Sequence, residues 1–302
     1  MFKSLSLKVI IFGFIFTFFS SFGQSFFIGL FNSSIRETLS ISHGQFGTIY
    51  ASATLCSSLL VIWIGKKIDD VNVLKFAIFV TILLSFSSFF FSKISSVVFL
   101  FVAIFLMRFS GQGMMSHTAS TTISRYFTKS RGRALSMIWF GLSSAEFILP
   151  VLIVYSLTLM AWQNIWIIIS ISVLIILPLA SYFLVKDVKL DTRETDQDAK
   201  FKEEKIKQWK RIEVLGDYRF YIISLNMLAM PWIATGVFVY QSFIVNSKGW
   251  GEYTIAQSFM SYSICSVITL LVSGYLIDKL TSRKLLIYMN IPLLLATFVI
   301  MY

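Results

Sequence analysis

Charge is scarce in this chain of 302 residues: only 14% are Asp, Glu, Lys or Arg, against roughly 25% in a soluble domain. With 56% of residues hydrophobic, too little polar surface remains to cover a water-soluble globule, and that class is excluded. Histidine and cysteine number two each, and proline four. Cys56 and Cys265 both lie inside apolar runs, so no disulfide framework is expected and the thiols read as small packing residues. No metal-ligand cluster, nucleotide-binding glycine loop or nucleophile–base constellation appears. The chain therefore reads as a non-enzyme without cofactor or metal. No A-x-A-like cleavage site follows the first apolar run, so Lys3 and Lys8 introduce an uncleaved membrane helix rather than a signal peptide.

What is abundant is apolar sequence in long runs. A helix needs about 20 apolar residues to cross the hydrocarbon core. On that criterion nine spans are expected, over roughly 9–32, 44–64, 74–92, 96–123, 134–157, 164–185, 218–245, 253–276 and 285–302. The fold class is all-α, a polytopic helical membrane protein. The net charge of +11 is not a nucleic-acid footprint, because the basic residues sit in short clusters between apolar runs. With the N-terminus in the cytoplasm, only Arg36, Lys93 and Lys248 of the 26 basic residues fall outside and Arg108 lies within the membrane. The inverted topology would reverse that ratio, so the positive-inside rule places the N-terminus inside. The one long hydrophilic stretch divides the chain into a six-helix bundle (1–185), a cytoplasmic linker (186–216) and a partial second bundle of about three helices (217–302). Within the linker, 201–213 reads either as an amphipathic helix at the membrane surface or as a solvated connector.

An internal repeat refines the fold. One constant offset sets Gly65 over Gly274, Ile68 over Ile277 and Asp69 over Asp278. It also sets Ser52 over Ser261, Cys56 over Cys265, Ser57 over Ser266, and "FNSSI" (31–35) over "YQSFI" (240–244). A single register across two helices and a loop implies a parallel six-helix repeat. Gly65-x-x-x-Asp69 and Gly274-x-Leu276-x-Asp278-Lys279, with Arg283 and Lys284 behind, resemble the loop signature of the major facilitator superfamily. "RYFTKSRGRALS" (125–136) resembles that family's basic loop between helices four and five, and Arg108 with "GQG" (111–113) its fourth-helix arginine motif. Departures exist. Asp70 replaces the usual arginine, Asn72 and Thr281 the later glycines, and Ala145-Glu146 interrupts the glycine-proline signature of drug antiporters. The resemblance implies twelve helices, of which about nine are here, so the chain reads as a fragment or truncated product.

Inside the spans the charges reduce to Arg108 and Glu146. An arginine at the bilayer centre costs at least about 2.5–3.5 kcal/mol. Each residue lies roughly 20 Å along its helix at 1.5 Å per residue, on consecutive antiparallel helices. They are read either as a structural ion pair or as two groups facing a central cavity, where Arg108 attracts an anion and Glu146 exchanges a proton. Gln112 falls about 40° from Arg108 on the helical wheel, and His117 about opposite. The resemblance implies a cavity lined by helices one, four and seven, which adds Gln24, Tyr240 and Gln241 as substrate-binding candidates. It further implies conformational gating by Gly65, Asp69, Gly274, Asp278 and Arg283, with Arg125 and Arg131 as ion-pair partners. The expectation is a monomeric secondary transporter in a bacterial plasma (inner) membrane. It would move a small organic anion such as a carboxylate by alternating access, with protons as candidate coupling ion. A drug or cation exporter and a transport-inactive receptor or scaffold stay open.

Overall fold

The computed structural model describes residues 4–127, 131–188, 211–251, 253–280 and 282–301. Among these, eight helices are long and apolar enough to cross a membrane: α1 (Leu5–Gly29), α2 (His43–Ile68), α3 (Val73–Phe91), α4 (Val97–Tyr126), α5 (Arg131–Leu159), α6 (Trp162–Val185), α7 (Tyr218–Val239) and α9 (Lys284–Met301). Between the last two runs α8 (Thr254–Leu280), whose described apolar part is Thr254–Leu270. The spans expected from hydropathy are thus helices, because backbone polar groups in lipid can be satisfied only within the segment itself. The protein is an all-α polytopic membrane protein. The surface helix expected over 201–213 lies outside the described residues except for its end, where Arg211–Leu215 is helical.

Helix starts are written in polar residues. Ser42 and Gln45 form a reciprocal capping box at the head of α2, with bonds of 3.2 and 2.8 Å. Asn72 caps α3 by accepting from Leu74 N at 2.8 Å, and Ser96 caps α4 by accepting from Phe99 N at 3.3 Å.

The chain divides into two compact units. The first comprises Met1–Asp191 with Phe238–Val267, the second Thr192–Val237 with Ile268–Tyr302. In the first, small residues let backbones approach, as lipid-embedded helices require. Gly141 on α5 abuts the Phe14 carbonyl and Thr17 of α1, and the Thr17 hydroxyl donates to Ile138 O. Between α3 and α6, Ser85 Oγ donates to Ser170 O at 2.9 Å and Ser170 Oγ to Ser85 O at 2.8 Å. Replacing both serines by alanine should lower thermal stability by about 1 kcal/mol, since such bonds average roughly 0.6 kcal/mol each. A thermal melt in detergent reads this directly. Trp166 of α6, fully buried, packs on Phe91, Phe31 and Phe27 at 4.3, 5.1 and 5.5 Å. Cys56 and Cys265 are free thiols on exposed helix faces rather than packed in the interior.

The second unit has its own polar clasp. Asn290 Nδ2 of α9 donates to Asn226 O and Oδ1 of α7 at 2.9 and 2.7 Å, and Asn226 Nδ2 donates to Leu286 O at 2.8 Å.

Candidate functional site

Two membrane helices lose their regular α geometry at one crossing. In α1, residues Ser21–Gly23 tighten into a 3₁₀ turn, Gln24 is extended (φ −81°, ψ 155°) and the helix resumes over Ser25–Gly29. In α4, residues Arg108–Met115 widen into a π-helix, a form that recurs at functional sites. Glycine sits at the contact on both sides. A Cβ on Gly111 would come within 2.7 Å of Gly23 Cα and N. One on Gly23 would come within 2.8 Å of Gly111 Cα and collide with Met107 O. The two backbones touch, and neither helix can keep its ordinary ladder there.

Arg108 opens the π segment and serves the interruption in α1. Its Nη1 donates to Gly23 O and to Ser25 Oγ, both at 3.1 Å. Its guanidinium lies 5.4 Å from the centre of the Tyr50 ring on α2, and the Tyr50 hydroxyl donates to Ser25 Oγ at 2.9 Å. A carbonyl, a hydroxyl and an aromatic face together offset part of the cost of burying the charge. They do not use it up: Arg108 is 5% exposed, and its Nε is buried without a hydrogen-bond partner.

Glu146 of α5 is also buried, at 7% exposure. No ion pair or hydrogen bond joins its carboxyl group to any described residue, Arg108 included. The structural ion pair left open by the sequence is therefore not formed in this conformation. Tyr262 of α8 lies within electrostatic reach of Glu146, and α5 packs against the 21–29 stretch of α1. The structure thus brings both the π segment and the helix bearing Glu146 against the α1 interruption.

Gln24 and Gln112 stand at the crossing itself, both half-buried. Tyr240 and Gln241 are elsewhere, in a seam where the end of α7 meets α1 and α2. There Gln241 Nε2 donates to Phe26 O at 3.1 Å, Asn32 Nδ2 donates to Val239 O at 2.7 Å, and the Tyr240 hydroxyl presses on Gly47. His117 bonds away from Arg108, its Nε2 lying 2.9 Å from Gly65 O at the end of α2. Arg125 reaches the same loop by donating to Ile68 O at 3.4 Å, and Arg131 Nε donates to Ser124 O at 3.0 Å. Gly274 lies within α8, and the side chains of Asp69, Asp278 and Arg283 lie outside what the structure describes.

Sequence reasoning missed Ser25 and Tyr50, the neighbours that hold Arg108, and the interruption of α1. One signal was available: Gly23-Gln24 and Gly111-Gln112 are the same dipeptide, one in each of the two helices that touch.

The fold is similar to that of a bacterial homolog of the human lysosomal transporter Spinster in an inward-facing, unoccupied conformation. The TM-score is 0.70 at 15% identity, over 94% of this chain and 64% of that one. It is also similar to such a homolog in an inward-facing, occupied conformation, with a TM-score of 0.66 at 15% identity, over 92% of this chain and 62% of that one. The chain spans less than two thirds of the length of these relatives. A comparison with curated proteins finds no match. The sequence fits the profile of the major facilitator superfamily over residues 13–302, and the chain belongs to that family.

Proposed function

We propose that the chain acts as a secondary active transporter that moves a small organic anion, such as a carboxylate, by alternating access, with Glu146 carrying the coupled proton. The observation that carries this reading is the state of Arg108. It is a buried guanidinium with a free Nε, held open by neutral partners where two membrane helices are interrupted at one crossing. Interrupted helices at mid-membrane recur at the binding sites of secondary transporters. A carboxylate arriving there gains a charge-assisted bond without displacing a salt bridge. Gln24 and Gln112, half-buried beside the crossing, complete the proposed site.

Topology follows from the charge pattern and the seam. With basic loops inside, the N-terminus faces the cytoplasm of a bacterial inner membrane. The end of α1 that bonds to residues 239–241 is then the outer end. Gating by Asp69, Asp278 and Arg283 remains part of the proposal.

A second reading has its own support. Among the described residues Glu146 has no cationic partner, and Tyr262 lies within electrostatic reach of it; aromatic faces attract cations. An exporter of organic cations would use that pair. Uptake into proteoliposomes under an imposed proton gradient separates the readings. The anion transporter accumulates a labelled carboxylate, and Glu146→Gln abolishes gradient-driven accumulation while leaving solute exchange. Full gradient-driven uptake by Glu146→Gln would remove the proton role. Efflux of a cationic dye that depends on Glu146 would favour the exporter.

A further inference from the structure

Four rings meet just beyond the interruption in α1. Phe26 on α1, Phe238 on α7, and Phe259 and Tyr262 on α8 form a closed cluster. Ring centroids are 5.4 Å apart for Phe26–Phe259 and for Phe238–Phe259, 5.9 Å for Phe238–Tyr262, 6.4 Å for Phe259–Tyr262 and 6.5 Å for Phe26–Phe238. Their burial is graded. Phe26 and Phe259 are 2% and 5% exposed, whereas Tyr262 is 36% exposed. Phe259 lies nearer the start of α8 and Tyr262 about one turn further along it, on the side of Glu146. The cluster therefore has a dry side toward the α1–α7 seam and an open side toward the level of the interruption.

The chemistry suits a seal that opens and closes. Aromatic pairs attract one another through both area and quadrupole. Their separation exposes no charge, so opening lacks the large desolvation change that a buried ion pair would bring. Behind the rings the polar contacts are single hydrogen bonds, Gln241 to Phe26 O and Asn32 to Val239 O, beside the packing of Tyr240 on Gly47 and of His43 on Phe243. Each of these bonds is one amide on one carbonyl, which water can replace on either side when the helices part.

We propose that Phe26, Phe238, Phe259 and Tyr262 form an aromatic gate that closes the solute path at the end away from the N-terminus and parts when α7 and α8 swing from α1. The gate rests on the alternating-access reading, and its test separates the two. In the full chain with Cys56→Ser and Cys265→Ser, a Gln24→Cys reporter sits just inside the rings. Its reaction with a membrane-impermeant maleimide is followed in right-side-out and inside-out vesicles.

With the rings intact, labelling proceeds from the N-terminal face and is slow from the far face. Phe259→Ala removes a ring that touches the other three, and far-face labelling should rise at least about tenfold, because each lost aromatic pair shifts a two-state equilibrium several-fold. Phe259→Leu, which keeps the bulk but loses the ring, should give a smaller rise. Labelling from the N-terminal face by the same variants reports that they are folded. The gate is overturned by far-face labelling already as fast as near-face labelling with the rings intact. It is also overturned by no far-face change in Phe259→Ala or in the Phe238→Ala/Phe259→Ala pair, or by loss of labelling from both faces. Labelling needs no transport, so a transport-dead chain whose rings control far-face access keeps the gate and sinks only the transporter reading.

Discussion

Replacing Gly111 by valine should deplete the folded protein, with a cost of about 3 kcal/mol or more, at the top of the range for overpacking. The reason is that the obstacle is backbone. The first added carbon would lie 2.7 Å from both Gly23 Cα and Gly23 N and 3.3 Å from Ser20 O. None of these atoms is the end of a flexible side chain that can turn aside. To admit the new group, α1 and α4 must separate, and that movement stretches the two bonds from Arg108 to Gly23 O and Ser25 Oγ. Valine adds a β-branched group to a wide π turn that has already given up regular helical bonding. Size-exclusion profiles of fluorescently tagged protein in detergent provide the readout. Gly132→Val is the matched control, because a Cβ at Gly132 meets nothing within 4 Å. If both variants give the same monodisperse peak and the same melting temperature, the crossing is not the close contact described.

Under the proposed anion-transport reading, Arg108→Ala should reduce anion uptake to background. Hydrogen bonds to a charged group contribute about 1.5–3 kcal/mol each, which corresponds to roughly 10- to 150-fold per bond. The alanine variant loses the charge altogether. Arg108→Lys is the sharper comparison. An ammonium keeps the charge but has neither a planar fork nor an Nε donor, so it cannot hold Gly23 O and present a free donor in the same geometry. Its uptake should fall at least about tenfold, by loss of one such bond, while melting temperature falls little. Tyr50→Phe, which keeps the ring and removes only the hydroxyl bonded to Ser25, should change uptake less than either. Concentration-dependent uptake of a labelled carboxylate, read beside thermal melts of the same preparations, tests the set. Wild-type uptake by Arg108→Lys and Arg108→Ala alike would leave the arginine a purely structural brace.

Much of this architecture was legible in the residues. Apolar run length located the helices, since lipid permits little else, and the spacing of Gly65–Asp69 against Gly274–Asp278 gave the repeat. Arg108 and Glu146 stood out because a charge in an apolar run costs too much to be incidental. The geometry between them was not legible. A helical wheel assumes a constant turn, yet the residues after Arg108 follow a wider one, so angles computed along α4 drift from that point on. The kink in α1 has no proline to announce it. It arises where Gly23 and Gly111 allow two backbones to touch, a pairwise property that neither helix carries alone. Conversely Pro150, Pro178 and Pro231 lie inside helices that continue through them, because the ring displaces few bonds and the flanking ladder re-forms. Gln241 is a substrate-binding candidate only through the family resemblance. Its amide bonds to the Phe26 carbonyl, a contact that the sequence around Gln241 cannot reveal.

The seam where residues 239–241 meet α1 has a consequence for how the two segments can move. Under the repeat, Asn32 and Gln241 are equivalent residues, "FNSSI" lying over "YQSFI". Each extends a side-chain amide to a backbone carbonyl on the opposing segment, Asn32 to Val239 and Gln241 to Phe26. A two-fold contact would return the same pair. Val239 is the counterpart of Leu30, so the matching bond would run from Gln241 to Leu30; it lands four residues earlier, about one helical turn away. The two amides therefore pin the seam at two different depths, and sliding one segment along the other must break both bonds at once.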